Sequence, residues 1–304
     1  MRSIITALCA ALTVFACGKS EAPAPPAPPP ANAEPAEGAA RIAIAPDGVH
    51  VQYRLYGQGE PALVFIHGWS CDSNYWREQV KFFKSRYTLV TVDLAGHGGT
   101  DANRSEWTMT RFGQDVATAL AAVPNQQVIL IGHSMGGPVA LEAARLLGKR
   151  AIGIIGVDTF KTIGAPLPSK AQVDAIVAPF EADFIGHTRS LVTQHFFAPG
   201  ADAALAQKIA YDMSLSPPRV GVPAMRALFA YDFTAPLAEV AVPIVAINSD
   251  LGEPANEARI RKALPRYRGV TLAGTGHFLM MEDPERFNAT LQAQIDTLLG
   301  APGS

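Results

Sequence analysis

Gln127-Val128-Ile129-Leu130-Ile131-Gly132-His133-Ser134-Met135-Gly136-Gly137-Pro138 is the stretch on which the reading of this chain turns. The apolar run predicts a strand over Gln127–Ile131. The residues from Met135 to Leu147, with Gly148 just past them, predict a helix closed by glycine. Gly-x-Ser-x-Gly is a common pattern in itself, but at a strand-to-helix junction it has a specific physical use. The turn is too sharp for side chains on either flank, so glycine is needed on both sides of the serine. The serine is lifted to the helix N-terminus, and the amide of Met135 can face a developing negative charge.

Short apolar runs and helical patterns alternate on both sides of this turn. Arg41 to Ala45 and Val49 to Tyr56 predict paired strands around Pro46-Asp47-Gly48. Ala62 to Ile66, Tyr87 to Val92, Ala151 to Val157, Pro243 to Ile247 and Val270 to Ala273 predict further strands. Asn74 to Lys84 and Trp107 to Val123 predict helices, and Asp283-Pro284 opens a last one, with Asp as its cap. Strands apolar on both faces, alternating with helices, predict an α/β fold: a mostly parallel twisted sheet with helices on both faces. Phe160 to about Ala235 breaks the alternation. It is rich in proline yet carries Phe184-Ile185, Phe196-Phe197 and Met225 to Phe229, which predicts a mainly helical cap inserted after the sixth strand.

A nucleophilic serine needs a base within hydrogen-bond reach. Of seven histidines, His277 follows the last predicted strand in Gly274-Thr275-Gly276-His277-Phe278. Strand ends of this kind are where open α/β sheets build their sites. The base in turn needs a carboxylate to hold its tautomer. Asp250, after the strand ending at Ile247, is the first choice; Asp158 and Glu253 are the alternatives. A second oxyanion donor is expected from His67-Gly68-Trp69, through the amide of Trp69. The chemistry requires no metal and no organic cofactor. The sequence has no Cys/His cluster at metal-ligand spacing.

His67-Gly68-Trp69, Asp93-Leu94-Ala95-Gly96-His97-Gly98, the Ser134 turn, and Gly276-His277-Phe278 followed by Glu282-Asp283-Pro284 occur in one order. Together, over about Arg41 to Leu299, they resemble the α/β-hydrolase superfamily in its capped esterase, lipase and haloperoxidase-like branch. The resemblance implies a serine hydrolase that cleaves a small-molecule carboxylic ester. On the same machinery it also allows a lactonase, a carbon–carbon bond hydrolase, an acyltransferase or a haloperoxidase, and a non-catalytic binding lipoprotein could reuse the fold. Many relatives carry Gly-x-x-Asp where Asn248-Ser249-Asp250 stands, so the acid loop departs from the pattern. Serine at the turn, where epoxide hydrolases and haloalkane dehalogenases carry aspartate, argues against those two activities.

The first forty residues read differently. Arg2 and the apolar run Ile4 to Ala16 predict a signal peptide over residues 1–16. Val14-Phe15-Ala16-Cys17-Gly18 resembles the lipobox of bacterial lipoproteins, which implies a lipid on Cys17. Glu21 to Ala40 is a Pro/Ala-rich spacer, so residues 17–40 form a tether and 41–304 the domain. The expected location is the bacterial cell envelope, lipid-anchored and facing the periplasm, or soluble there if the lipid is absent. Cys9 then falls in the signal and Cys17 at the lipid site, leaving Cys71 alone in the domain with no intrachain disulfide. A net charge of -2 and pI near 6.4 give no field for nucleic acid.

Overall fold

The structure, a computed structural model, describes residues 36–300. The signal segment, Cys17 and most of the spacer lie outside these residues. Eight strands form one sheet: β1 (Ala40–Ile44), β2 (His50–Tyr56), β3 (Ala62–Ile66), β4 (Thr88–Val92), β5 (Val128–His133), β6 (Ala151–Val157), β7 (Ile244–Ser249) and β8 (Tyr267–Leu272). Their order is β1-β2-β4-β3-β5-β6-β7-β8. The β1/β2 and β2/β4 pairs are antiparallel and every later pair is parallel. The composition explains the difference. β3 and β5 are buried at every residue and sit mid-sheet, whereas β1 alternates exposed and half-buried positions at the edge.

The helices are α1 (Arg77–Phe83), α2 (Met109–Ala121), α3 (Gly136–Leu147), α4 (Lys170–Ala182), α5 (Phe184–His195), α6 (Ala203–Ser214), α7 (Pro218–Phe229), α8 (Thr234–Glu239), α9 (Glu257–Ala263), α10 (Leu279–Glu282) and α11 (Pro284–Leu298). One group joins α2, α3 and α8; a second joins α1, α10 and α11. Between β6 and β7 the chain forms α4 to α8 and no strand, which is the helical insertion expected from the sequence. Its helices carry their own caps: Ser169 and Gln172 form a capping box on α4, and Asp183 and Asp202 cap α5 and α6. The helix expected over Asn74–Lys84 begins instead with a 3₁₀ turn, Ser73–Trp76, whose cap is Asp72. None of the helices formed by the described residues is long and apolar enough to cross a membrane.

The sheet order decides where a site can form. From β3 the chain steps to one side to make β4, then returns to the other side to make β5. The loops after β3 and β5 therefore diverge, and a crevice opens at the carboxyl ends of those strands. Gly68 and Trp69 follow β3, and Ser134 follows β5. Four residues other than glycine have a left-handed backbone among the described residues: Ser70, Ser134, Asp158 and Phe160. All four lie just past β3, β5 or β6. Each costs roughly 1–3 kcal/mol, so strain is concentrated at this edge of the sheet.

Candidate active site

Ser134 occupies its turn at φ 53°. Its amide donates to the carbonyl of Val157 at 2.9 Å, and its carbonyl accepts from Gly137 at 2.9 Å. The serine is thus pinned to the end of β6 on one side and to the first turn of α3 on the other. The glycines answer to steric limits. A Cβ on Gly132 would lie 2.1 Å from the carbonyl oxygen of Gly136, and one on Gly136 would lie 2.5 Å from that of Ile66. A Cβ on Gly68 would come 3.2 Å from Cβ of Ser134, so the β3 loop and the serine turn are in close contact.

The His-Gly-Trp loop is held by its histidine. His67 Nδ1–H donates to the carbonyl of Gly68 at 2.8 Å, and its Nε2 accepts from the amide of Leu94 at 3.0 Å. Burial lowers its pKa, so the ring is a neutral strut between the loops after β3 and β4. Asp93 has a similar part, accepting from Ser73 N, Gly99 N and Gln52 Nε2. The Trp69 indole donates to the carbonyl of Gly221 on α7 at 2.7 Å and stacks edge-on against Phe180. No acceptor among the described residues takes the backbone amides of Trp69 or Met135. Cys71 is buried beside this loop, and burial pushes its thiol well up, which leaves it an inert packing residue.

His277 arrives from the loop after β8. Glu282 shapes that loop by accepting from the amides of Gly276 at 2.9 Å and Phe278 at 3.2 Å. The cap completes the hold: the His277 amide donates to the carbonyl of Phe196 at 2.7 Å, and the Phe196 ring lies 4.5 Å from the imidazole. His133, the neighbour of Ser134, has its ring 4.6 Å from that of His277 and donates from Nε2 to the His277 carbonyl at 2.9 Å. Burial, aided by His277, pushes the His133 pKa down to about 3, so this second imidazole stays neutral.

The carboxylate that faces His277 belongs to Asp158, not Asp250. His277 Nδ1–H donates to Asp158 Oδ2 at 2.6 Å. The other oxygen, Oδ1, accepts from Ser249 N at 3.0 Å, Ser249 Oγ at 2.9 Å and Lys161 Nζ at 2.9 Å. Burial alone would raise this carboxyl, but the bond and charge of His277, with those of Lys161, outweigh it and hold it well below the usual carboxylate range. Asp250, the first choice from sequence, is exposed and makes no hydrogen bond to the imidazole. Its Oδ1 accepts from Gly274 N at 2.8 Å and so shapes the turn leading to His277. Glu253 is exposed on the same loop. The physical reason is that β7 ends in Ser249, whose amide and hydroxyl point back at the β6 end and make a polar seat there for Asp158.

Sequence reasoning leaves Lys161 and the donor role of Ser249 unmarked. A lysine three residues beyond an aspartate has no spacing rule outside a helix, and this segment is a loop. Ser134, Asp158 and Lys161 line one cavity of about 850 Å³, whose walls include Phe160, Leu228 and Phe233. Among the described residues no group of three or more His, Cys, Asp or Glu is placed to hold a metal ion. A serine with a left-handed backbone at a helix N-terminus, an imidazole hydrogen-bonded to a buried carboxylate, and two backbone amides with no acceptor among the described residues are parts that acyl transfer can use.

The profile of the Alpha/beta hydrolase family matches residues 63–290, and the chain belongs to that family. It is a hydrolase built on the α/β-hydrolase fold. The chain is 27% identical over 232 residues to 3-oxoadipate enol-lactonase 1 of Acinetobacter baylyi, a match covering 76% of this chain and 86% of that protein. It is 26% identical over 267 residues to a non-heme chloroperoxidase of Kitasatospora aureofaciens, covering 81% of this chain and 95% of the other. Among solved structures, a thermophilic esterase from Thermogutta terrifontis superposes with a TM-score of 0.74 at 19% identity, over 86% of this chain and 99% of that one.

Proposed function

We propose that this chain is a serine hydrolase that cleaves a carboxylic ester, linear or cyclic, by transferring the acyl group through Ser134 to water. The observation that carries this reading is the 2.6 Å contact from His277 Nδ1 to Asp158. It leaves Nε2 of His277 as an acceptor, in the tautomer a general base requires. In this reading Ser134 Oγ attacks the carbonyl carbon as His277 Nε2 takes its proton. The amides of Met135 and Trp69 stabilise the oxyanion, and Asp158 stabilises the imidazolium. His277 then protonates the leaving alcohol. It next takes a proton from water, which attacks the acyl-enzyme and releases the acid. The apolar cavity walls favour a substrate with a hydrocarbon or aromatic portion. The similarity to an enol-lactonase keeps cyclic esters within the substrate class.

The test is a fluorophosphonate probe followed by peptide mapping, alongside a panel of p-nitrophenyl esters and lactones. A covalent adduct on Ser134, with turnover of at least one series, supports the reading. Absence of any adduct on the folded protein, with flat rates across the panel, sinks it.

We further propose that a lipid on Cys17 tethers the enzyme to a membrane of the bacterial envelope, with the Pro/Ala-rich segment as spacer. In cells that process lipoproteins, Cys17→Ser is expected to move the protein from the membrane fraction to the soluble one. A wild-type protein that is already soluble removes this proposal.

A further inference from the structure

Lys161 stands where neither motif nor spacing predicts a functional residue, yet its ammonium touches the carboxylate that orients His277. Asp158 divides its two oxygens cleanly. Oδ2 serves His277, while Oδ1 collects Ser249 N, Ser249 Oγ and Lys161 Nζ. Geometrically, Lys161 is redundant, because Ser249 already supplies two donors to the same oxygen. Electrostatically it is not, because Ser249 carries no charge. The lysine is itself fixed: Arg259 on α9 donates to its carbonyl at 2.6 Å, and its ammonium reaches the Leu251 carbonyl at 3.4 Å. Its side chain is 24% exposed and lines the cavity that also holds Ser134, whereas that of Asp158 is only 8% exposed.

We propose that Lys161 is a positioning residue that sets the pH range in which His277 accepts a proton, by placing a permanent positive charge on the far oxygen of the Asp158 carboxylate. The inference rests on the serine-hydrolase reading above. The groups facing the pair can be named from every side. His133 is neutral through burial, and Ser249 is uncharged. Glu282 lies on the amides flanking His277, and Arg259 lies behind Lys161. Of these, Lys161 is the cation that shares the Asp158 carboxylate with His277. A protonated His277 and Lys161 compete for one negative charge, so the lysine disfavours the imidazolium.

The experiment measures the fluorophosphonate labelling rate of the full-length protein against pH for wild type, Lys161→Met and Lys161→Arg. Lys161→Met is expected to move the acid limb about one pH unit upward, so that low on the limb it labels about tenfold more slowly. Lys161→Arg keeps the charge and is expected to hold the limb at its wild-type position. Ser249→Ala removes a hydrogen bond and no charge, and its limb is expected to stay in place even where its rate falls. A purely structural lysine would change the plateau and leave all limbs superimposed, which overturns the proposal. Should Lys161→Met fail to fold, Lys161→Gln with the His277 ring titrated by NMR gives the same comparison without turnover, and an unmoved titration there also overturns it. Absence of labelling in the wild type at every pH removes the serine-hydrolase reading and the proposal with it. Labelling with superimposed limbs removes the proposal alone.

Discussion

Ser134→Ala is expected to lower kcat on a p-nitrophenyl ester by about 10⁶-fold, with KM changed by no more than a few-fold. The alanine removes one oxygen and leaves the turn intact, because the restraints on residue 134 are backbone bonds to Val157 and Gly137. What would remain, in the mechanism proposed, is stabilisation by the amides of Met135 and Trp69 and by binding, which is about 10³–10⁴ over water in comparable machinery. The measurement is steady-state kinetics on protein freed of contaminating esterase. A variant retaining a tenth of wild-type activity would mean that another group makes the attack.

The second large effect separates two aspartates. Asp158→Asn is expected to reduce kcat by about 10⁴-fold, because an amide in that place can turn its NH₂ toward Nδ1 and impose the wrong tautomer on His277. Asp250→Asn is expected to leave kcat within a few-fold, since its carboxylate supports a turn through Gly274 N and meets no imidazole. A side chain in the same position can accept that bond as a neutral oxygen. Equal losses in the two variants, or a larger loss at Asp250, would reverse the assignment drawn from the geometry.

The contrast between those residues marks the boundary of what the chain reveals before it folds. The Ser134 turn is legible because its constraint is local: glycines at two positions, a strand before and a helix after. The position of His277 just past the last strand is legible in the same way. Strand and helix alternation also yields the sheet, the cap and its position after β6. The partner of His277 is another matter. Asp158 and Asp250 both follow parallel strands and both fall between Ser134 and His277 in the chain. Choosing between them depends on where Ser249 directs its amide and hydroxyl, a tertiary fact with no signal at the level of composition or period. Helix α9 is missed for a related reason. Seven residues capped by Asn256, with only Ile260 buried, make too short an apolar stripe to read. Lys161 is invisible because its importance lies in a contact across an irregular loop.

The bond from the His277 amide to the Phe196 carbonyl gives the helical insertion more than a covering part. That bond fastens the stretch just past α5, ahead of β7, to the loop that follows β8, so two segments far apart in the chain share one anchor beside the imidazole.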